Sequence, residues 1–368
     1  MADPTRPPAI SSAPSVPDAP VDESAHTAAL DHMLRIALGF QASKVLLTAV
    51  RFGLFTELAE GPLPYGELRA RLGLHPRSAR DFFDALVALG LLDRTEGATE
   101  GTTEGTYANT PAADRYLDRR KPGYLGGFME MADTRLYGFW ARLGEGLRTG
   151  EPQNESKGGG EDVFTALYGD PERLASFQQA MTGLSMRSAH ALAEALGWSA
   201  YRTVADIGCA EGAVLCHLLQ RHPRLRGIGF DLEPVRAGFE RRAAAAGLGD
   251  KLVFRQGDFF TSPLPEADVL IFGHILHDWD LPTKRMLLDK AYRALPEGGL
   301  VIVYETLIDD DRRENVTGLL MSLNMLIETT GGFDYTGAEC RGWLAEAGFR
   351  ESRVRHLAGP ESMVIGVK

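Results

Sequence analysis

Acidic side chains close one apolar, β-favouring run after another in this chain. Asp206 follows Val204-Ala205, Asp231 follows Gly227-Ile228-Gly229-Phe230, and Glu305 follows Val301-Ile302-Val303-Tyr304. Asp258 and His277 fall just beyond two more such runs, 252–256 and 269–272. In an open α/β sheet the carboxyl ends of the strands border one crevice, so these residues are candidates for a single site. Asp231 lies about 20 residues past a glycine turn, where an acid accepts both hydroxyls of a ribose. Asp258 beside Phe259 suits adenine: the carboxylate accepts from the amino group and the ring packs on the base. A histidine at position 277 is the natural general base near neutral pH. A carboxylate at Glu305 would fix that ring and favour its imidazolium after proton uptake. Glu328 and Asp334, flanking Thr329-Thr330-Gly331-Gly332, are candidates for a second support. His274-x-x-His277-Asp278 has metal-ligand residue types, but no third histidine follows at plausible spacing, and no metal is expected.

The turn that must start this crevice is Asp206-Ile207-Gly208-Cys209-Ala210-Glu211-Gly212, and an apolar helical pattern (Ala213, Val214, Leu215, Leu218, Leu219) follows it. Strand, glycine turn and helix together place a small ligand at a strand end. A dinucleotide fingerprint would need glycines near 208, 210 and 213, but Ala210 and Ala213 stand at the last two. A P-loop would need Gly-Lys-Ser/Thr, which is absent. Asp-x-Gly-x-x-x-Gly remains. It suits a ligand with no phosphates to cradle and a cationic end that meets a carboxylate.

The elements around these residues follow from periodicity. From Val204 onward strands and helices alternate, the mark of a doubly wound sheet. Strands are expected at 204–207, 227–231, 252–256, 269–272, 300–304, 351–356 and 362–367. The last two lack room for a crossover helix and read as a closing antiparallel hairpin. Upstream, residues 1–27 form a Pro-, Ala- and Ser-rich tail expected to be disordered. Residues 28–111 read as helix, short helix, helix and hairpin, a winged-helix-like order. In it Leu30, Met33, Leu34, Ala37, Leu38, Val45, Leu46, Ala49 and Val50 mark buried faces, with bends at Gly39 and at Arg51-Phe52-Gly53. The repeated Thr-Glu-Gly of 95–105 is too polar to bury and reads as a flexible wing tip. Residues 112–198 are helical and rich in aromatic residues and methionine, with helices expected at 163–168 and 171–196. Residues 199–368 hold the sheet.

Bulk properties narrow the partners. The 368 residues carry a net charge of −11, which disfavours a polyanion such as DNA and suits a small neutral or cationic ligand. The three cysteines make no CxxC pattern, so a reducing cytoplasm is the expected compartment. No uninterrupted apolar run reaches the ~18 residues of a membrane span, and no membrane association is expected.

Together these motifs resemble a family: the S-adenosylmethionine-dependent small-molecule O-methyltransferases of bacteria, whose architecture is shared by caffeate- and acetylserotonin-type enzymes. The resemblance runs from about residue 28 to the end. It rests on the 206–212 loop, Gly-Phe-Asp-Leu at 229–232, Gly-Asp-Phe-Phe at 257–260, His-Asp-Trp at 277–279, Glu305, and Asn324-Met325-Leu326 followed by Gly331-Gly332. It implies an α/β fold, with a Rossmann-like C-terminal domain on a seven-stranded, mostly parallel sheet and a helical N-terminal domain forming a homodimer. It implies S-adenosylmethionine as methyl donor, with Gly208 at its methionine end, Asp231 on the ribose, and Asp258 with Phe259 on the adenine. Asp206, Leu232, Gly273 and Met181 join the donor contacts. His277 is the implied base, Glu305 its first carboxylate, and Asp334 stands where the family has a second glutamate. The implied acceptor is a hydroxylated, aromatic natural product. The family loop has glycine where this chain has Ala210, and a left-handed backbone there would cost on the order of 1 kcal/mol. Two other readings share parts of this pattern: a non-methylating enzyme on the same fold, and a winged-helix regulator that senses a small molecule.

Overall fold

The computed structural model describes residues 23–96, 105–160 and 167–368. Of the tail expected over 1–27, residues 1–22 lie outside them, while 23–27 are helical rather than disordered and open the first helix. Most of the wing tip expected over 95–105 (97–104) and the helical start over 163–166 also lie outside. The chain divides into two compact units between Val45 and Leu46.

The first helix, Glu23–Arg51, runs unbroken through Gly39. The bend expected there is absent, because the intrahelical hydrogen bonds carry a single glycine at a cost of only about 1 kcal/mol. Its early apolar side chains are not buried as expected either. Leu30, Met33, Leu34 and Leu38 are exposed, whereas Leu47, Ala49 and Val50 near its end are buried. Helical spacing reports a face, and cannot report whether the same chain covers it. The helix ends before Gly53, whose φ of 71° turns the chain into helix Leu54–Leu58.

Next come strand β1 (Leu63–Pro64), helices Tyr65–Arg71 and Ala79–Ala88, and strands β2 (Leu92–Thr95) and β3 (Thr106–Asn109). The three strands form one antiparallel sheet in the order β1-β3-β2. Helix, strand, two helices and a hairpin give the winged-helix-like order. Phe83 and Tyr107 pack at its centre, with ring centroids 5.3 Å apart. A chain of short helices spans 111–149, interrupted by a π-turn at Ala132–Leu136.

The long helix Pro171–Ala195 starts where Asp170 accepts from the N–H groups of Glu172 and Arg173, with proline in the first turn. After it the sheet begins. Strands β4 (Thr203–Ile207), β5 (Arg226–Asp231), β6 (Leu252–Gln256), β7 (Val269–Gly273), β8 (Leu300–Glu305), β9 (Glu351–Ala358) and β10 (Glu361–Val367) lie in the order β6-β5-β4-β7-β8-β10-β9. The first five strands in that order are parallel; β10 runs antiparallel to both β8 and β9. The expected closing hairpin is therefore present.

Both faces are covered at the centre of the sheet, so β7 and β8 are apolar and buried along nearly their whole length, whereas the edge strand β9 is largely polar and exposed. Alternate side chains feed two cores. Leu300, Ile302 and Tyr304 join Trp198, Leu215 and Phe239 on one face, and Val301 and Val303 join Leu287, Trp343 and Leu344 on the other. The strand order reverses between β4 and β7, and this switch point opens a crevice at their carboxyl ends.

Candidate active site

A cavity of about 380 Å³ occupies that crevice. Asp206, Gly208, Asp231, Leu232, Asp258, Phe259, Gly273 and Met181 all line it. Met181 reaches it from the long helix, and the others come from strand ends or the turns after them.

The glycine turn shapes the first wall. Gly208 has φ of 76°, and a Cβ there would fall 2.3 Å from Ile275 Cδ1, so only glycine keeps this wall open. Ala210 does adopt a left-handed backbone, with φ of 46°. The strain is offset locally: its N–H donates to Asp231 Oδ2 at 2.9 Å. The Leu232 N–H donates to the other oxygen at 2.8 Å. Tyr168, which also lines the cavity, adds a side-chain hydrogen bond to the same carboxylate. Asp231 is thus oriented by three donors, and each oxygen keeps spare lone-pair capacity for a hydroxyl. Glu211 would put a further negative charge here, but it is tied down. Arg242 pairs with it at 2.6 Å, and the Thr182 hydroxyl donates to it at 3.1 Å. Cys209 is buried between these residues, its thiol pushed well up by burial and by the charges of Asp231 and Asp206.

The far end of the cavity is aromatic. Phe259, Phe260 and Trp279 meet with centroid distances of 4.8 to 5.7 Å. Asp258 fixes its own turn, accepting from the Phe260 N–H at 2.8 Å. Burial raises two carboxyls of the first wall, Asp206 and Asp231. Asp206 is pushed up to about 7 by burial and by the charge of Asp231, and Asp231 to about 6 by burial against its backbone hydrogen bonds.

His277, Glu305 and Asp334 form a second, drier cluster. His277 sits in a 3₁₀ turn, Leu276–Asp278, and the next helix is capped by Asp280. Its ring Nδ1 lies 3.3 Å from Asp334 Oδ1, and its backbone N–H donates to Glu305 Oε1 at 3.0 Å. Asp334 therefore meets the ring, while Glu305, expected on the ring, holds the backbone. Glu328 is turned away toward Arg135, 3.4 Å off. Gly332 explains the double glycine: a Cβ there would come within 2.5 Å of the His277 carbonyl. One ligand-type atom from each of His277, Glu305 and Asp334 lies within 4.8 Å of the others. A protonated ring supplies the positive charge that a cation would otherwise bring to this group. Burial pulls the ring's pKa down, but the charges of Glu305 and Asp278 and the bond to Asp334 outweigh it, leaving it at about 10.

His277 does not itself line the cavity; its neighbour Asp278 does, with Oδ1 3.7 Å from His277 Nε2. Burial pushes Asp278 up to about 7. The ligand-free site thus has a donor-shaped cavity with an acid in its wall and a histidine one layer behind.

Residues 140–350 match the profile of the O-methyltransferase domain, and residues 34–119 that of the O-methyltransferase dimerisation domain. The chain belongs to the O-methyltransferase family. Among its relatives is the tetracenomycin polyketide synthesis 8-O-methyl transferase of Streptomyces glaucescens, 48% identical over 336 residues, or 91% of this chain and 96% of that protein. A 3-hydroxy-5-methyl-1-naphthoate 3-O-methyltransferase of Streptomyces sahachiroi is 36% identical over 90% of this chain and 94% of its own. The crystal structure of human N-acetylserotonin methyltransferase in complex with S-adenosylmethionine superposes with a TM-score of 0.84 at 28% identity. That match covers 92% of this chain and 97% of the human one. The protein is an S-adenosylmethionine-dependent O-methyltransferase that carries the family's dimerisation domain.

Two features of this methyltransferase were missed in the sequence. The sequence gives Asp278 only as part of His-Asp-Trp and of a weak metal-ligand pattern, although an acid next to a base is itself a signal. Lys284 was not singled out; it is fully buried, bonds the Trp279 carbonyl, and lies 3.5 Å above the Phe333 ring. It staples the segment of His277 to that of Asp334. Its helical position, a lysine among apolar neighbours, was the only available sign.

Proposed function

We propose that the enzyme methylates a phenolic hydroxyl of a polycyclic, polyketide-type aromatic, with His277 as the base. The observation that carries this reading is the His277 ring. It is anchored on Asp334 through Nδ1, with Nε2 turned to Asp278 in the cavity wall. The donor supplies a methyl group already activated on a sulfonium. Asp231 would hold its ribose, Asp258 with the aromatic corner its adenine, and Asp206, Gly208, Leu232, Gly273 and Met181 its remaining surface. A phenol of pKa ~10 keeps its proton at neutral pH, so the residues must align the acceptor oxygen and remove that proton. In the ligand-free site the ring already holds a proton. Its proton affinity falls when positive charge enters the adjoining cavity, because like charges repel, so donor binding would release the Nε2 proton to solvent and free that nitrogen before the acceptor's proton is taken up. Asp278 lies between ring and cavity and would pass the acceptor proton to Nε2. Glu305 and Asp334 are positioning residues in this scheme.

The reading extends to the whole chain. Residues 28–111 serve as the dimerisation domain, 112–198 line the acceptor, and 199–368 bind the donor. The first helix exposes Leu30, Met33, Leu34, Ile36, Leu38 and Phe40. By length and composition it is apolar enough to cross a bilayer, although Asp31, Arg35 and Lys44 interrupt it. We assign this face to a second copy of the chain in a cytoplasmic homodimer that binds neither membrane nor nucleic acid. The assay is incubation with S-adenosylmethionine and a panel of polycyclic phenols. A product heavier by one methyl, with equimolar S-adenosylhomocysteine, supports the proposal; turnover confined to amines or thiols rejects it. Light scattering of the purified chain checks the dimer.

A further inference from the structure

Lys284 stands where its helix calls for an apolar side chain. Helix Leu281–Ala294 buries Lys284, Leu287, Leu288 and Ala291 along one face, and Lys284 has no solvent exposure at all. A methionine or leucine there would fill the same space without the cost of desolvating an ammonium. The ammonium is fixed from two sides instead. Nζ donates to the carbonyl of Trp279, just past His277, and lies 3.5 Å from the centre of the Phe333 ring and 5.5 Å from that of Tyr335. Those two rings flank Asp334. A carbonyl and two rings hold the charge in place but do not neutralise it, which takes carboxylates.

Carboxylates face Lys284 from each element around it. Asp278 lies in the turn before the helix, Asp280 caps the helix, Glu305 ends β8, and Asp334 stands between the two rings. Burial pulls the ammonium down to about 8 against the charges of these acids, so it remains charged at neutral pH. The buried Tyr335 hydroxyl and the Cys340 thiol of helix Gly337–Glu346 complete its surroundings. His277 sits among the same acids, and His274 faces it with ring centroids 5.8 Å apart. Lys284 does not line the cavity, so its charge is not there to meet a ligand. A base must spend part of each cycle neutral. At that moment Asp278, Glu305 and Asp334 lose the imidazolium that opposes them. Without a second cation they would draw a proton back onto the ring or take one up themselves.

We propose that Lys284 is a positioning residue of the base, the fixed cation that keeps Glu305 and Asp334 ionised while His277 parts with its proton. The proposal rests on reading His277 as the base. Lys284→Met keeps the length of the side chain and removes the charge. Its effect is read by nuclear magnetic resonance titration of the His277 ring and by the kcat–pH profile. Losing a nearby cation favours the protonated ring, so its midpoint is expected to rise by about one pH unit. The acid limb of the kcat–pH profile should rise with it, with kcat at neutral pH falling roughly tenfold and affinity for S-adenosylhomocysteine staying within about twofold. Lys284→Arg restores the charge and should bring the midpoint back toward the wild-type value. A Lys284→Met protein that binds S-adenosylhomocysteine with an unmoved or lowered midpoint overturns the proposal. A raised midpoint with an unmoved kcat–pH limb upholds the hold of Lys284 on the ring and removes His277 as base instead. If Lys284→Met does not fold, wild-type enzyme carrying isotope-labelled lysine and histidine decides. Ring signals of His277 that shift as Lys284 titrates support the coupling, and signals that ignore it overturn the proposal.

Discussion

The crevice has two halves built on opposite principles. In the donor half, Asp231 faces an open cavity with its oxygens oriented by backbone N–H groups. In the base half, His277 is buried with three carboxylates, and Glu305 Oε2 and Asp334 Oδ2 have no hydrogen-bond partner among the described residues. The first half is ready to bind. The second holds opposite charges in a dry place, where their interaction is strong and sensitive to any added charge. Binding and proton removal are therefore separable, and substitutions should divide them.

The largest effect is expected from His277→Ala. Loss of a positioned base should lower kcat by roughly 10²–10⁴-fold, while calorimetric affinity for S-adenosylhomocysteine stays within about threefold. A large fall in affinity would merge the two halves. Asp231→Ala is the mirror image. Losing a charged acceptor should weaken the donor by about 10–100-fold, with kcat at saturating donor falling far less. Asp334→Asn removes a negative neighbour from the ring, which lowers the ring's pKa. The acid limb of the kcat–pH profile should then move to lower pH; an unmoved limb would detach Asp334 from the base.

Donor binding should itself depend on pH. Asp206 and Asp231, raised to about 7 and about 6, are protonated on the acid side of those values. A cationic ligand favours their charged forms, so binding expels protons. Affinity for S-adenosylmethionine should fall as pH drops from 8 to 5.5, by up to about tenfold per pH unit for each proton. A flat profile would show that neither acid changes its protonation when the cationic donor binds. The smallest effect belongs to Ala210→Gly, which relieves a left-handed alanine and should stabilise the fold by about 0.5–1 kcal/mol, read as a small rise in Tm.

The donor half was legible in the sequence because it is local. Each acid ends a run of β-favouring residues, and strand ends converge in any sheet of this topology. The seven strands were placed to within two residues for the same reason. The base half was less legible because its contacts are long-range. Nothing in the spacing says that Asp334 meets the ring while Glu305 meets the backbone, or that Asp278 stands between His277 and the cavity. Nor does any local spacing announce that Glu211 is paired by Arg242, 31 positions on. The first helix teaches the complementary lesson, for its period marks an apolar face that the described residues leave exposed.

Cys209 carries a practical consequence. A thiol in the wall of a ligand cavity invites covalent probes, but reaction requires the thiolate. Burial beside two acids keeps this sulfur protonated. Maleimides and mild oxidants should spare it, leaving the purified enzyme tolerant of air. An inhibitor aimed at this crevice would have to win by shape and charge rather than by alkylation.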